Sequence, residues 1–118
     1  MRFQLNKMPI WWFTTLVVVA TLAQASDAQN ISHGEQVFKK AGCFQCHAGG
    51  GNMIMPNKPL KGEQFSKDCP NDQAIANVIR NGIKNSPMPA FSKDRLSDAD
   101  MKDLIAYVHT FTVKSKDH

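Results

Sequence analysis

Cys43-Phe44-Gln45-Cys46-His47 is the stretch that decides how this chain is read. Cys-x-x-Cys-His is the attachment pattern of c-type haem. Two thiols at this spacing add to the two vinyl groups of the porphyrin and hold it as thioethers. The adjacent imidazole then lies under the iron and gives it a nitrogen. Other uses of paired cysteines compete. A disulfide-exchange pair wants a strand before it and a helix after it, whereas here a helical segment precedes and a glycine-rich loop follows. A zinc site wants further ligands at ordinary spacing, and His33, His109, His118 and Cys69 form no such set. A structural disulfide shares the pattern, and the pattern alone does not separate it from haem attachment.

Upstream, the chain begins with Arg2 and Lys7, continues through an apolar run from Ile10 to Leu22, and reaches the small-x-small triplet Ala23-Gln24-Ala25. That order is a secretory signal peptide. The run is 13 residues long, shorter than the roughly 18–20 a spanning helix needs. Cleavage is expected between Ala25 and Ser26, with Ala28 as a second choice. Residues 1–25 are therefore an address and residues 26–118 a single domain. Export agrees with the motif, because c-type haem is attached after export. A bacterial periplasm fits best, and a thylakoid lumen is compatible.

The rest of the composition narrows the answer. The chain has 118 residues and 42% hydrophobic content, too short for several domains or a large-cleft enzyme. The segment after the leader holds 34 of the apolar residues, with five Phe and one Tyr. So lean a core calls for a disulfide, a metal or a cofactor. Arg2 and Lys7 fall in the leader and all ten acidic residues beyond it, so the remainder carries +2 rather than +4. The basic residues are scattered, which excludes the clustered stripe of a nucleic-acid binder and suits weak steering toward another protein.

Three helices are legible. Ser32-His33-Gly34-Glu35 reads as a capping box, opening a helix that runs to about Ala41 and stops at Gly42. Ile75, Val78 and Ile79 set one face of a helix over 71–81, with Gly82 as its stop. Ser97 caps a last helix, with Asp98 and Asp100 in its first turn and Met101, Leu104, Ile105, Val108 and Phe111 as its apolar stripe. Phe38, Phe44, Phe65, Ile79, Phe91, Leu104 and Val108 are expected near the haem or between helices. No window alternates as a strand does.

Iron needs a second axial ligand or an open position. The candidates are Met53, Met55, Met88, Met101, His33, His109 and His118. Met101 lies on the core stripe. His109 lies near the opposite face, His33 in the capping box and His118 at the terminus. Met53 and Met55 follow His47 closely, and Met55 is expected to pack against the haem. Met88 stands between Pro87 and Pro89, which stiffen its loop and leave the thioether little entropy to lose. It follows His47 by 41 residues, enough chain to pass through a helix and return to the opposite haem face. The soft sulfur favours the ferrous state.

Together these residues resemble a class I cytochrome c, from Gly34 to Phe111. Within that class the chain is similar to the small algal and cyanobacterial cytochrome c that substitutes for plastocyanin. The matching residues are Cys46 to Asn52 (Cys-His-Ala-Gly-Gly-Gly-Asn), Ile54-Met55, Lys58-x-Leu60, Met88 to Phe91, Leu96 to Asp100 and Ala106-Tyr107-Val108. The resemblance implies an all-α fold of three to five short helices wrapped around one covalently bound haem c. It implies that Cys43 and Cys46 bind the haem, that His47 and Met88 ligate the iron, and that Gly34 and Phe38 cross the last helix at Tyr107. Val78 where those proteins often have Gln, a longer approach to Met88 through Ile83 and Ser86-Pro87, and the Cys69-Pro70 segment are departures. Non-photosynthetic bacteria have carriers of this type, and the departures favour one of those.

The expected function is a one-electron carrier between redox proteins, with no catalytic residues and no bound substrate. Its partners would be a membrane cytochrome complex, a terminal oxidase, a photosystem or a periplasmic dehydrogenase. Docking would be weak, steered by lysines such as Lys39, Lys58 and Lys84. No nucleic acid, no membrane insertion after cleavage and a monomeric state are expected. Two alternatives are a haem subunit of a larger periplasmic enzyme, and a small peroxidase or gas sensor whose Met ligand is labile. Cys69 is read as a tolerated or buried thiol, with an intermolecular disulfide as the sharper alternative.

Overall fold

Five α-helices carry the fold in the computed structural model, which describes residues 27–28 and 30–114. They are α1 (residues 30–40), α2 (Cys43–His47), α3 (Gly62–Asp68), α4 (Asp72–Asn81) and α5 (Asp98–Lys114), with a 3-10 turn at Ala48–Gly50 after α2. No strand occurs among the described residues. The expected signal peptide, its preferred cleavage site and His118 lie outside them.

Helix α5 is the spine. Its sequence stripe is buried as the spacing requires: Met101, Leu104, Ile105, Val108 and Phe111 are all inside, Leu104 at 1% exposure. Each such side chain contributes about 1.5–3 kcal/mol by leaving water. Val37 and Phe38 from α1, Ile75 and Ile79 from α4, and Phe91 and Leu96 from the connection before α5 complete the core.

The α1–α5 crossing is tight because Gly34 has no side chain. A Cβ there would overlap the Asp103 carbonyl and come 2.9 Å from Tyr107 Cβ. Phe38, Tyr107 and Phe111 then form an aromatic cluster, with ring centroids 5.3, 5.8 and 5.1 Å apart. Such pairs add about 0.5–1.5 kcal/mol each beyond area burial. The crossing that the resemblance implied at these residues is present.

Local signals fix the other ends. Asn71 Oδ1 accepts from Ala74 N (2.9 Å) and starts α4. Ser97 Oγ accepts from Asp100 N (3.0 Å) and starts α5. Gly42, at φ 85°, follows the last turn of α1 as expected.

The capping box at Ser32 is not formed. Residues 30 and 31 are already helical, so Ser32 lies inside α1. Nothing in Asn30-Ile31 breaks a helix, and Glu35 has a stronger partner than a backbone amide in the Lys39 ammonium, 2.6 Å away. His33 pairs with Asp103 across the α1–α5 crossing (2.8 Å). Helix α3 is an element the sequence reading did not find. Its only large apolar residue is Phe65, so it has no periodicity to detect, and it is supported by Glu63–Lys67 and Gln64–Asp68 pairs at 2.8 Å. Phe44 is not between helices but half exposed, at 50%, because α2 turns its cysteines inward and thereby turns Phe44 and Gln45 out.

Candidate haem site

Two backbone bonds close α1 and start the site. Ala41 N donates to Val37 O (2.8 Å) and Gly42 N to Lys39 O (3.1 Å). The chain then turns directly into α2. In one helical turn, Cys43, Cys46 and His47 share a face by their i, i+3, i+4 spacing. All three are half-buried, and both thiols are free. Burial pushes the Cys43 thiol above its ordinary range.

His47 is oriented by a backbone carbonyl. Its Nδ1 lies 2.9 Å from Gly51 O. A carbonyl only accepts, so Nδ1 carries the proton. In the neutral ring this is the tautomer a metal requires, with the lone pair on Nε2. Gly51 is itself held by its N–H to Ala48 O (3.0 Å).

The loop after His47 is organised by Asn52. Its Nδ2 donates to Lys58 O (3.0 Å), and its Oδ1 accepts from Ile54 N (3.1 Å) and Met55 N (2.9 Å). Met53 N donates to Cys46 O (2.8 Å) and Leu60 N to Gly50 O (2.7 Å), which ties the loop back to α2. The polypeptide leaves Met53, Ile54, Met55 and, in the turn before Met88, Ile83 at 44–69% exposure. So many large apolar side chains left outside the core suit a large apolar group.

Met88 is half-buried and packs against the core. Met88 N donates to Ser86 Oγ (3.3 Å) and Ile83 N to Met88 O (3.3 Å). Gly82, at φ 65°, passes so close that a Cβ would fall 2.9 Å from Met88 O, so both its conformation and its lack of a side chain shape this turn. Phe91 N donates to Ile79 O (3.0 Å), and the Arg95 guanidinium stacks on the Phe91 ring at 4.8 Å.

Three of the rival candidates are engaged elsewhere. His33 is bound to Asp103, His109 Nε2 lies 2.6 Å from Asp72 Oδ1, and Met101 is buried at 5% in the core. Among the described residues no group of three or more His, Cys, Asp and Glu side chains is placed to hold a metal ion, which leaves the zinc alternative without a donor set. Cys69 is half-buried against the core, and burial pushes its thiol upward. Two contributors had no role in the sequence reading. Asn52 stood inside the quoted signature without one, and Arg80 gave no signal beyond following Ile79 on α4.

A family model described as "Cytochrome C oxidase, cbb3-type, subunit III" matches residues 29–108. The chain is 47% identical over 95 residues to cytochrome c6 of Cyanidium caldarium, covering 80% of this chain and 83% of that one. It is 44% identical over 96 residues to cytochrome c6 of a Synechococcus, covering 80% and 82%. In structure it is similar to cytochrome c6 of the diatom Phaeodactylum tricornutum, with a TM-score of 0.61, 36% identity, and 71% of this chain and 95% of that one covered. The chain belongs to the class I cytochromes c, within the cytochrome c6 family. Its cofactor is accordingly one covalently bound haem c. The residues present fit that group: two free thiols and an imidazole with the right tautomer on one turn, beside exposed apolar side chains.

Proposed function

We propose that this chain is a one-electron carrier between redox proteins, with its haem bound through Cys43 and Cys46 and the iron held between His47 and Met88. The observation that carries the proposal is the His47 ring, whose Nδ1–H is committed to Gly51 O and whose Nε2 is free, one residue from a cysteine pair of the right spacing. When bound, the haem supplies a reversible one-electron change at its iron. Cys43 and Cys46 would each hold it covalently as a thioether. His47 presents a neutral nitrogen. Met88 presents a soft sulfur, which favours the reduced state and raises the potential relative to two histidines. With His47 and Met88 both holding the iron, the chain would bind no substrate and would be no enzyme.

Docking falls to the exposed apolar side chains and the cations beside them. Lys58 and Lys84, at the ends of the Met53–Met55 loop and the turn before Met88, belong to no salt bridge among the described residues, whereas Lys39 is neutralised by Glu35. A partner with an acidic rim, on a membrane cytochrome complex, an oxidase or a photosystem, would associate at a salt-dependent rate. None of the described helices is long and apolar enough to cross a membrane. Residues 1–25 would act as the export signal, removed to leave residues 26–118 as one monomeric domain in the periplasm or lumen. The oxidase-subunit family model favours a second reading, a haem subunit of a larger complex, which stable co-purification with that complex would reveal.

Optical spectra of the oxidised and reduced protein, with carbon monoxide added to the reduced form, test the ligation. The expected result is a c-type spectrum with the weak charge-transfer band from Met sulfur to ferric iron and no change with carbon monoxide. Met88→Ala should remove the band and open the iron to carbon monoxide. Ready binding of carbon monoxide by the native protein would transfer the case to a sensor or peroxidase.

A further inference from the structure

Arg80 stands in the last turns of α4 with its guanidinium turned across the connection to α5. Its Nη1 donates to the carbonyls of Phe91 (3.1 Å) and Leu96 (2.6 Å), and its Nη2 to Asp98 Oδ1 (2.8 Å). The side chain is only 19% exposed. Phe91 lies three residues beyond Met88, and Leu96 ends the irregular segment before α5. The same end of α4 holds Met88 directly, through Ile83 N to Met88 O, Phe91 N to Ile79 O and the close approach of Gly82.

A segment without regular structure is as stiff as its anchors. Between Met88 and α5 the backbone makes few bonds of its own: Phe91 N to Ile79 O, and Arg95 N and Leu96 N to Ser92 O. Arg80 adds three charge-assisted bonds to that short list. A planar guanidinium can serve two carbonyls and a carboxylate at once, which an ammonium on a flexible stem cannot do in the same geometry.

We propose that Arg80 is a positioning residue for the axial sulfur: by fixing the carbonyls of Phe91 and Leu96, it keeps Met88 on the iron against competing ligands. This inference rests on the reading of Met88 as the second axial ligand. An outside ligand reaches iron only in the fraction of molecules whose Met88 segment has swung away, and its apparent affinity scales with that fraction. Loosening the anchor raises the fraction.

The test is a titration of the oxidised holoprotein with imidazole at room temperature, followed by the Met-to-iron charge-transfer band. Wild type, Arg80→Ala, Arg80→Lys and Met88→Ala are compared, with far-UV circular dichroism melts alongside. Arg80→Ala is expected to bind imidazole about tenfold more tightly than wild type, equivalent to about 1.4 kcal/mol, with its helix content unchanged at that temperature. Arg80→Lys should fall between, because an ammonium keeps only some of the three acceptors. A lowered melting temperature with wild-type imidazole affinity would make Arg80 a structural residue only and overturn the proposal. Should Arg80→Ala not fold, Arg80→Lys decides alone, and wild-type affinity there overturns it equally. If Met88→Ala keeps the band and binds imidazole no better than wild type, the underlying assignment of Met88 fails, whatever Arg80 does.

Discussion

The α1–α5 crossing and the pair of loops that carry Asn52 and Met88 solve the same problem in opposite ways. At the crossing the polypeptide finishes its own interior: Phe38 and Leu104 are almost fully buried, and Gly34 lets two backbones touch. In the loops the backbone is well bonded, yet Met53, Ile54, Met55 and Ile83 remain largely exposed. The crossing is an interior made of side chains. The loops are a surface shaped for a group that the sequence itself does not encode. A chain with so lean an apolar content needs that group as part of its core.

The comparison breaks most sharply at the cysteines. Replacing both Cys43 and Cys46 by Ala should abolish covalent haem attachment and with it most of the about 5–15 kcal/mol of net stability usual for a domain. Circular dichroism of that variant should show most of the helical signal lost. A variant that kept wild-type helix content and melting behaviour would show that the crossing folds without help from the loop side.

A smaller effect is expected at the crossing itself. Gly34→Ala puts a methyl group onto the Asp103 carbonyl, and backbone cannot yield as a flexible side chain does. Helix α1 must shift, at a cost of ~3 kcal/mol. Chemical denaturation of the holoprotein should show that loss, while the charge-transfer band expected from the proposed Met88 ligation stays at wild-type strength. A weakened band would mean that crossing and loops are mechanically coupled, and the contrast between them would dissolve.

The two regions also differed in how far sequence exposed them. Helix α5 was readable to its cap because Ser97 and the stripe from Met101 to Phe111 state a period and a boundary together. Helix α4 was readable for the same reason. Ser32 misled because a capping box is a local pattern, and the Glu35 side chain had a better partner in Lys39, four residues on. Helix α3 was silent because one Phe in seven residues has no period. Cys43, Cys46 and His47 were legible as a motif. The carbonyl of Gly51 that fixes the His47 tautomer was not, since it depends on a turn made by a 3-10 segment. Arg80 was illegible for a related reason: its partners are carbonyls, which look alike in every residue, and they lie 11 and 16 positions away.

The smallest expected effect lies where the two regions join. Asp98 opens α5 and receives Lys93 Nζ and Arg80 Nη2, each at 2.8 Å. The Lys93 hydrogen bond, and after it the Arg80 one, holds its carboxyl below the ordinary value of 3.8. A carboxylate whose folded-state value is depressed stabilises the fold above its unfolded value, and that contribution is lost as pH falls through the folded value. The contribution is therefore complete above pH ~4 and fades in stronger acid. Asp98→Asn should lower stability slightly at neutral pH and flatten the acid limb of the melting-temperature profile, so that the two profiles converge at the lowest pH. Because Asp98 is exposed and screened, the difference should shrink in high salt. Parallel profiles for the two proteins across the whole acid range would show that this carboxylate is not a tie between α4 and α5.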